Sequence, residues 1–300
     1  MRNVVLVVML FCTASAMAQT GEYFPVLHAG GYGQIQDAGQ GFELRRLRPF
    51  LTASMDSLTL FGEAQVGKNT IPLQVYLEYR MTLPILGRSK LRLGQFTNPM
   101  MQVESSPGKK RFVAYALTDY YITDQYDIGV SILFANRLGS FQSCVFNGSG
   151  HNVPDDNQSR DFTASVTSSW IGPLRLSGAF QSGRQPPGER TLYYGKLSVC
   201  PASGLSVESA MLWRRDFQHS RGWLVTAVAD LNESFALTAR CTQRTQFALL
   251  TMAQEQLVTD DVEVVVGAEL RQGALKFQPN LVLQQHSHPT IIWSVQFDLN

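Results

Sequence analysis

From about residue 27 onward the chain alternates apolar and polar side chains with a period of two, the spacing that places successive side chains on opposite faces of a β-strand. In the clearest stretch Ile71, Leu73, Val75, Leu77, Tyr79 and Met81 form one face, and Pro72, Gln74, Tyr76, Glu78, Arg80 and Thr82 the other. The same split sets Ile128, Val130, Ile132 and Phe134 against Asp127, Gly129 and Ser131. It sets Phe162, Ala164, Val166 and Trp170 against Asp161, Thr163, Ser165, Thr167 and Ser169. Near the end Ile291, Trp293, Val295, Phe297 and Leu299 oppose Thr290, Ser294, Gln296 and Asp298. One face suits lipid and the other suits water, and no helical period runs over a comparable length.

The pattern predicts strands near 27–36, 42–54, 57–66, 71–82, 89–97, 126–135, 139–146, 159–170, 173–183, 190–200, 204–214, 221–231, 234–245, 259–271, 273–285 and 289–299. Sixteen is an even count, as antiparallel outer-membrane barrels have. Such barrels also place short turns at one end and longer loops at the other. The conspicuous connections, Asn98–Gln125, Asn147–Ser159, Arg184–Glu189 and Gln246–Val258, are all odd-numbered, whereas even links such as Asn136–Leu138 and Ile171-Gly172 are short. A soluble β-sandwich has no reason to keep that parity. The expected fold is therefore all-β, a transmembrane antiparallel up-and-down barrel in a single domain, residues 19–300.

Residues 1–18 read as a secretory signal peptide, with Arg2 as the positive start, Val4–Phe11 as the apolar run and Ala16-Met17-Ala18 as the cleavage site. That run is far short of the roughly 20 residues a spanning helix needs, so a membrane crossing falls to strands. Cys12 follows Met9-Leu10-Phe11, too bulky for a lipoprotein cleavage site. Loss of the leader removes Arg2 and leaves 24 of the 25 Lys and Arg against 24 Asp and Glu. A near-zero charge without a concentrated basic face gives no sign of a nucleic-acid binder. Cys144, Cys200 and Cys241 are odd in number and widely spaced, which gives neither a disulfide framework nor a metal site. No cofactor is expected.

The stretch His28-Ala29-Gly30-Gly31-Tyr32-Gly33-Gln34-Ile35-Gln36 followed by Gly41-Phe42-Glu43-Leu44-Arg45-Arg46-Leu47-Arg48 resembles the phosphate-selective porin O and P family of outer-membrane channels. Leu91-Arg92-Leu93-Gly94-Gln95-Phe96 with Pro99 and Glu104 is similar to that family's strand into its third external loop. Tyr126-Asp127-Ile128-Gly129-Val130 resembles the strand leaving the loop, and Val145-Phe146-Asn147-Gly148 a recurrent strand end. The resemblance implies a sixteen-stranded, typically trimeric barrel whose third loop folds inward as a constriction. Two departures stand out: the chain ends Phe297-Asp298-Leu299-Asn300 without a terminal aromatic, and its external loops are brief.

The function expected is a porin in the cell outer membrane, a water-filled channel for passive diffusion of small hydrophilic solutes or ions, with anions including phosphate among the candidates. Its partners would be outer-membrane lipid and lipopolysaccharide, the outer-membrane assembly machinery and two further copies of itself. Segment 98–125 carries Glu104, the cations Lys109, Lys110 and Arg111, and the aromatics Phe112, Tyr115, Tyr120 and Tyr121. Folded into a lumen, it would narrow the pore with cations, the arrangement by which anion pores select. On the surface it would meet lipopolysaccharide. Inward-facing positions hold Arg80, Arg92, Arg175, Arg214, Arg240 and Arg271, yet also Glu78, Asp127, Asp161, Glu208, Asp230, Glu263 and Glu269. Each acid offsets the field an anion feels, so this mixture favours a general aqueous channel over phosphate selectivity. Arg45, Arg46 and Arg48 would snorkel at an interface or sit beside a bulge. Trp170, Trp213, Trp223 and Trp293 suit aromatic girdles. The rival reading is a barrel enzyme, phospholipase or protease, using His151 with Asp155 and Asp156, or His286-Ser287-His288. A barrel with an occluded lumen and a purely structural role is the third.

Overall fold

The computed structural model describes residues 25–37, 42–66, 70–104, 125–148, 160–185, 188–216, 218–251, 254–285 and 287–299. The expected leader, residues 1–18, lies outside them. Sixteen strands close a barrel: β1 (Val26–Asp37), β2 (Phe42–Met55), β3 (Leu58–Gln65), β4 (Ile71–Leu83), β5 (Gly87–Thr97), β6 (Tyr126–Asn136), β7 (Gly139–Phe146) and β8 (Asp161–Ser168), then β9 (Leu174–Gln185), β10 (Gly188–Ala202), β11 (Leu205–Arg215), β12 (Gln218–Asp230), β13 (Phe235–Thr251), β14 (Gln254–Gln272), β15 (Leu275–Gln284) and β16 (Thr290–Leu299). Each strand pairs antiparallel with its neighbours in sequence, and β1 pairs with β16 to remove the last free edge. A short helix α1, Pro99–Glu104, follows β5. No helix of the described residues is long and apolar enough to cross a membrane.

The alternation decides which side chains face out. Leu77, Leu93, Val130 and Val145 lie side by side across β4 to β7, all exposed. Positions one residue away, such as Glu78, Ser131 and Cys144, are buried on the inner wall. So large an apolar exterior has a physical home in lipid. A charge placed there must leave water for hydrocarbon. Leu93→Lys, six residues from the turn at the start of β5 and 47% exposed, is expected to cost about 2–4 kcal/mol, as lysine does near a bilayer midplane. Urea unfolding in lipid vesicles reads this directly, and a cost below about 1 kcal/mol would place Leu93 outside the hydrocarbon.

The predicted strand order is observed, with one correction at the loops. Long connections do fall at a single end, where β5 leads to β6 and β7 to β8. Arg184–Glu189 and Gln246–Val258, however, are not long loops. β9 and β10 stay paired to Gln185↔Gly188, and β13 and β14 to Thr251↔Gln254. Strands that rise beyond the membrane need no apolar face, so the two-residue period that marks them elsewhere is missing there. The bulge expected near the arginines is present: register shifts opposite Gln34/Ile35, where Arg46 and Leu44 are paired and Arg45 is skipped. Arg48 faces inward and does not snorkel. It is buried between the Tyr32 and Tyr126 rings, at 5.8 and 6.0 Å from their centroids, and donates to Tyr126 Oη at 2.9 Å and Gln65 Oε1 at 3.1 Å. Of the tryptophans, Trp170 and Trp213 are exposed on the outer side, and the Trp223 indole donates to Gln243. Free Cys144, Cys200 and Cys241 lie apart on β7, β10 and β13.

Candidate functional site

The interior of the barrel carries the candidate site, and its first component is α1. Asn98 Oδ1 accepts the Met100 amide at 3.0 Å, which starts the helix directly after β5. Met100 and Met101 then pack on the inner faces of β10, β11 and β12, against Leu192, Tyr194, Ala210, Leu212 and Leu224. Asn98 Nδ2 donates to Gln181 Oε1 at 3.0 Å, and Gln181 Nε2 to Asp161 Oδ2 at 2.8 Å. The same carboxylate oxygen receives Arg190 Nη2 at 2.6 Å. α1 thus crosses to β8, β9 and β10 and is pinned there by a buried polar chain. Asn98, just before α1, also donates its backbone N–H to the Gln125 carbonyl at 2.9 Å. The Glu104 side chain, and Lys109, Lys110 and Arg111 entirely, lie outside the described residues.

The second component is a cationic patch on β4 and β5. Glu78 lies at its centre, 3% exposed. It receives Arg80 Nε at 2.8 Å and Arg92 Nε at 2.7 Å, with Lys90 Nζ at 3.2 Å. The three cations are 51%, 16% and 35% exposed, so they lie over the acid and present their positive ends to the lumen. Three cations on one carboxylate leave an excess of positive charge on this wall.

The opposite wall is balanced. Arg240 bonds Glu263 at 2.9 Å, Arg244 bonds Asp261, and Arg271 bonds both Glu269 and Asp230, with Lys276 at 3.8 Å from Glu269. Four cations meet four acids there. Of the other residues predicted from sequence, Asp127 faces inward, but its two carboxylate oxygens accept the Ile128 and Gly148 amides, each at 2.7 Å, and it is buried. That makes it a brace between the end of β7 and β6. Arg175 sits at the short-turn rim, exposed, donating to the Ser168 carbonyl at 3.3 Å beside the Trp170 ring. Glu78, Arg80 and Arg92 are therefore brought together, and Asp127 and Arg175 are not part of their group. Lys90, Arg190 and Arg244 were missed. Counting in twos from Arg92 and Glu263 would have found Lys90 and Asp261, and with Asp261 its cross-strand neighbour Arg244.

For the enzyme reading, His151, Asp155, Asp156 and His286 lie outside the described residues, and His288 is exposed with its carbonyl accepting Thr290 Oγ1. Among the described residues no three His, Cys, Asp or Glu side chains are grouped to hold a metal.

No protein-family model matches the sequence, nor does any curated protein. Solved structures do match over nearly the full length. OmpT of Vibrio cholerae in its trimer form, an outer membrane protein, superimposes with a TM-score of 0.71 at 10% identity, covering 91% of this chain and 99% of that one. The anion-selective porin from Comamonas acidovorans gives 0.67 at 12% identity, covering 92% and 99%. The fold is that of the outer-membrane porins. OmpF of Salmonella typhi, solved with daunomycin, agrees, at 0.67 and 8% identity over 92% and 98%. Identities this low carry the barrel architecture alone, and leave solute and selectivity to the residues of this chain.

Proposed function

We propose that the protein is an outer-membrane porin, exported by the leader in residues 1–18 and assembled as a homotrimer, that lets small hydrophilic solutes and ions diffuse through a water-filled lumen. One observation carries the reading: a closed barrel that is apolar outside and lined inside with ion-paired Arg, Lys, Asp and Glu. Charges that cost so much to bury are worth keeping only along a water path. The solved trimeric neighbour supports the oligomer, and lipopolysaccharide and the assembly machinery would be the partners that any such barrel meets.

Within this reading the channel prefers anions mildly. The cationic patch around Glu78 supports that preference, and the balanced wall around Glu263 and Glu269 argues against a dedicated phosphate pore. Lys109, Lys110 and Arg111 are proposed to add to it as the constriction, since α1, which leads into the segment that carries them, packs on the inner wall of the barrel.

Single-channel recording in planar bilayers under a KCl gradient tests both levels. Discrete conductance steps with a reversal potential on the anion side are expected, and neutralising Lys109, Lys110 and Arg111 together should move that potential toward zero. Absence of conductance would overturn the channel. Unchanged selectivity in the triple variant would remove those residues from the constriction.

A further inference from the structure

An unbroken row of aromatic side chains runs obliquely across the inner wall. His28 and Phe50 lie with ring centroids 5.6 Å apart, Phe50 and Phe61 6.0 Å, Phe61 and Tyr76 5.0 Å, Tyr76 and Phe96 6.4 Å, and Phe96 and Phe146 5.0 Å. His28 stands two residues after the start of β1, at the short-turn end of the barrel. Phe146 is the last residue of β7, at the loop end. The row therefore joins the two ends of the barrel. Its members face in, because Phe61 shares a face with Thr59, the cross-strand partner of Glu78, and Phe50 is two residues from Thr52, the partner of Phe61.

Aromatic rings are ordinarily the side chains a porin turns outward to lipid. Phe96 and Phe146 are buried, and they account for one end of the row as packing. Phe50, Phe61 and Tyr76 are only half-buried, so apolar surface is left on a wall that otherwise holds water. Both flanks of this exposed half are polar and paired. On the loop side Gln74 Nε2 donates to Glu63 Oε2 at 2.6 Å. On the other side stands the Glu78 cluster, whose Arg92 guanidinium lies 4.9 Å from the centroid of the Tyr76 ring.

We infer that this row is a binding track for linear oligosaccharides, resting on the channel reading above. A sugar ring offers two kinds of surface, apolar C–H faces and a rim of hydroxyls. The row meets the first by apolar contact along its exposed ring edges, because Phe50, Phe61 and Tyr76 stack on one another at interplanar angles of 21° and 23°. The flanking carboxylates, amide and guanidinium groups meet the second with acceptors and donors fixed in place by their own pairing. Aromatic steps of 5.0–6.4 Å match a chain that repeats once per sugar unit. A row reaching from end to end lets such a chain move forward by exchanging one contact for the next. A simple anion would use the cations and leave the rings idle.

The test is current blockade of the full-length protein in planar bilayers with KCl, using maltohexaose as the probe. Transient, concentration-dependent interruptions of the KCl current are expected. In Phe61→Ala/Tyr76→Ala the half-blocking concentration should rise at least about tenfold, the size expected for the loss of about 60 Å² of apolar contact. Tyr76→Phe keeps the ring and should keep blockade within about twofold, and the KCl steps of each variant report that it has folded. KCl steps without interruptions in the wild type, or interruptions unaltered in the double variant, overturn the track and leave the porin reading standing. Absence of KCl steps in the wild type removes the porin reading and the track with it.

Discussion

Asp161→Ala is expected to lower stability by about 3–5 kcal/mol, the cost of removing one member of a buried ion pair. Asp161 and Arg190 are each 2% exposed and bonded at 2.6 Å, so the pair is shielded from water. The loss propagates, because Asp161 also receives Gln181, which holds Asn98 at the head of α1. Two readouts separate these effects. Unfolding in urea reports stability, and single-channel conductance reports whether α1 has left the wall, in which case the steps become larger and noisier. Asp161→Leu combined with Arg190→Met removes both charges and should recover most of the stability, since apolar replacements of buried ion pairs are often neutral or better. It should not recover quiet conductance, because Gln181 still lacks its acceptor. If the double replacement is as unstable as Asp161→Ala, the ion pair is not the cause.

This network also shows where the amino-acid pattern stops being readable. The barrel was legible because each strand meets two different solvents, and a period of two is the trace they leave in Leu77-Glu78-Tyr79-Arg80 or Val262-Glu263-Val264. The face of Arg80, Arg92, Arg240 and Glu263 followed from it. Arg190 was hidden because the next positions, Leu192-Tyr193-Tyr194, are apolar on both faces, as are Ala210–Trp213 and Trp223-Leu224-Val225. The structure gives the reason. Tyr193, Met211, Trp213 and Val225 are exposed outside, whereas Leu192, Leu212 and Leu224 face in and are covered by Met100 and Met101. Where alternation fails on β10 to β12, the inner wall is covered by protein instead of water. Pairings were not legible at all. Arg48 with Tyr126, or Asn98 with Gln181, depends on barrel curvature that brings residues 78 and 83 positions apart together. The loop end was misjudged for a related reason, since β13 and β14 continue past the height at which lipid demands an apolar side.

Gly94 is where one added methyl group is expected to do the most damage. It holds φ +126°, a conformation that side-chain-bearing residues avoid at a cost of about 1–3 kcal/mol. A Cβ there would also lie 2.4 Å from the Val75 carbonyl oxygen and 2.9 Å from Tyr76 Cα, both backbone atoms that cannot swing aside. β4 and β5 would have to part, so Gly94→Ala should cost at least about 3 kcal/mol, overpacking adding to the backbone strain. Gly62, on the outer face of β3, meets nothing within 4 Å, and Gly62→Ala should stay within about 0.5 kcal/mol of wild type. The contrast, read by urea unfolding, isolates the site from the general effect of removing a glycine. Equal costs at the two positions would show that Gly94 is not held by its neighbours. Its place in the row explains the demand. Gly94 pairs across to Tyr76 on one side and to Gly129 on the other, and Gly129 to Phe146, so two residues without side chains lie beneath Phe96 and between two further rings. A side chain at either glycine would push those rings into the lumen. The glycine of Leu91-Arg92-Leu93-Gly94-Gln95-Phe96 is therefore what lets an inner wall hold both a guanidinium patch and an aromatic row within one turn of the sheet, and Gly94→Ala should weaken maltohexaose blockade along with stability.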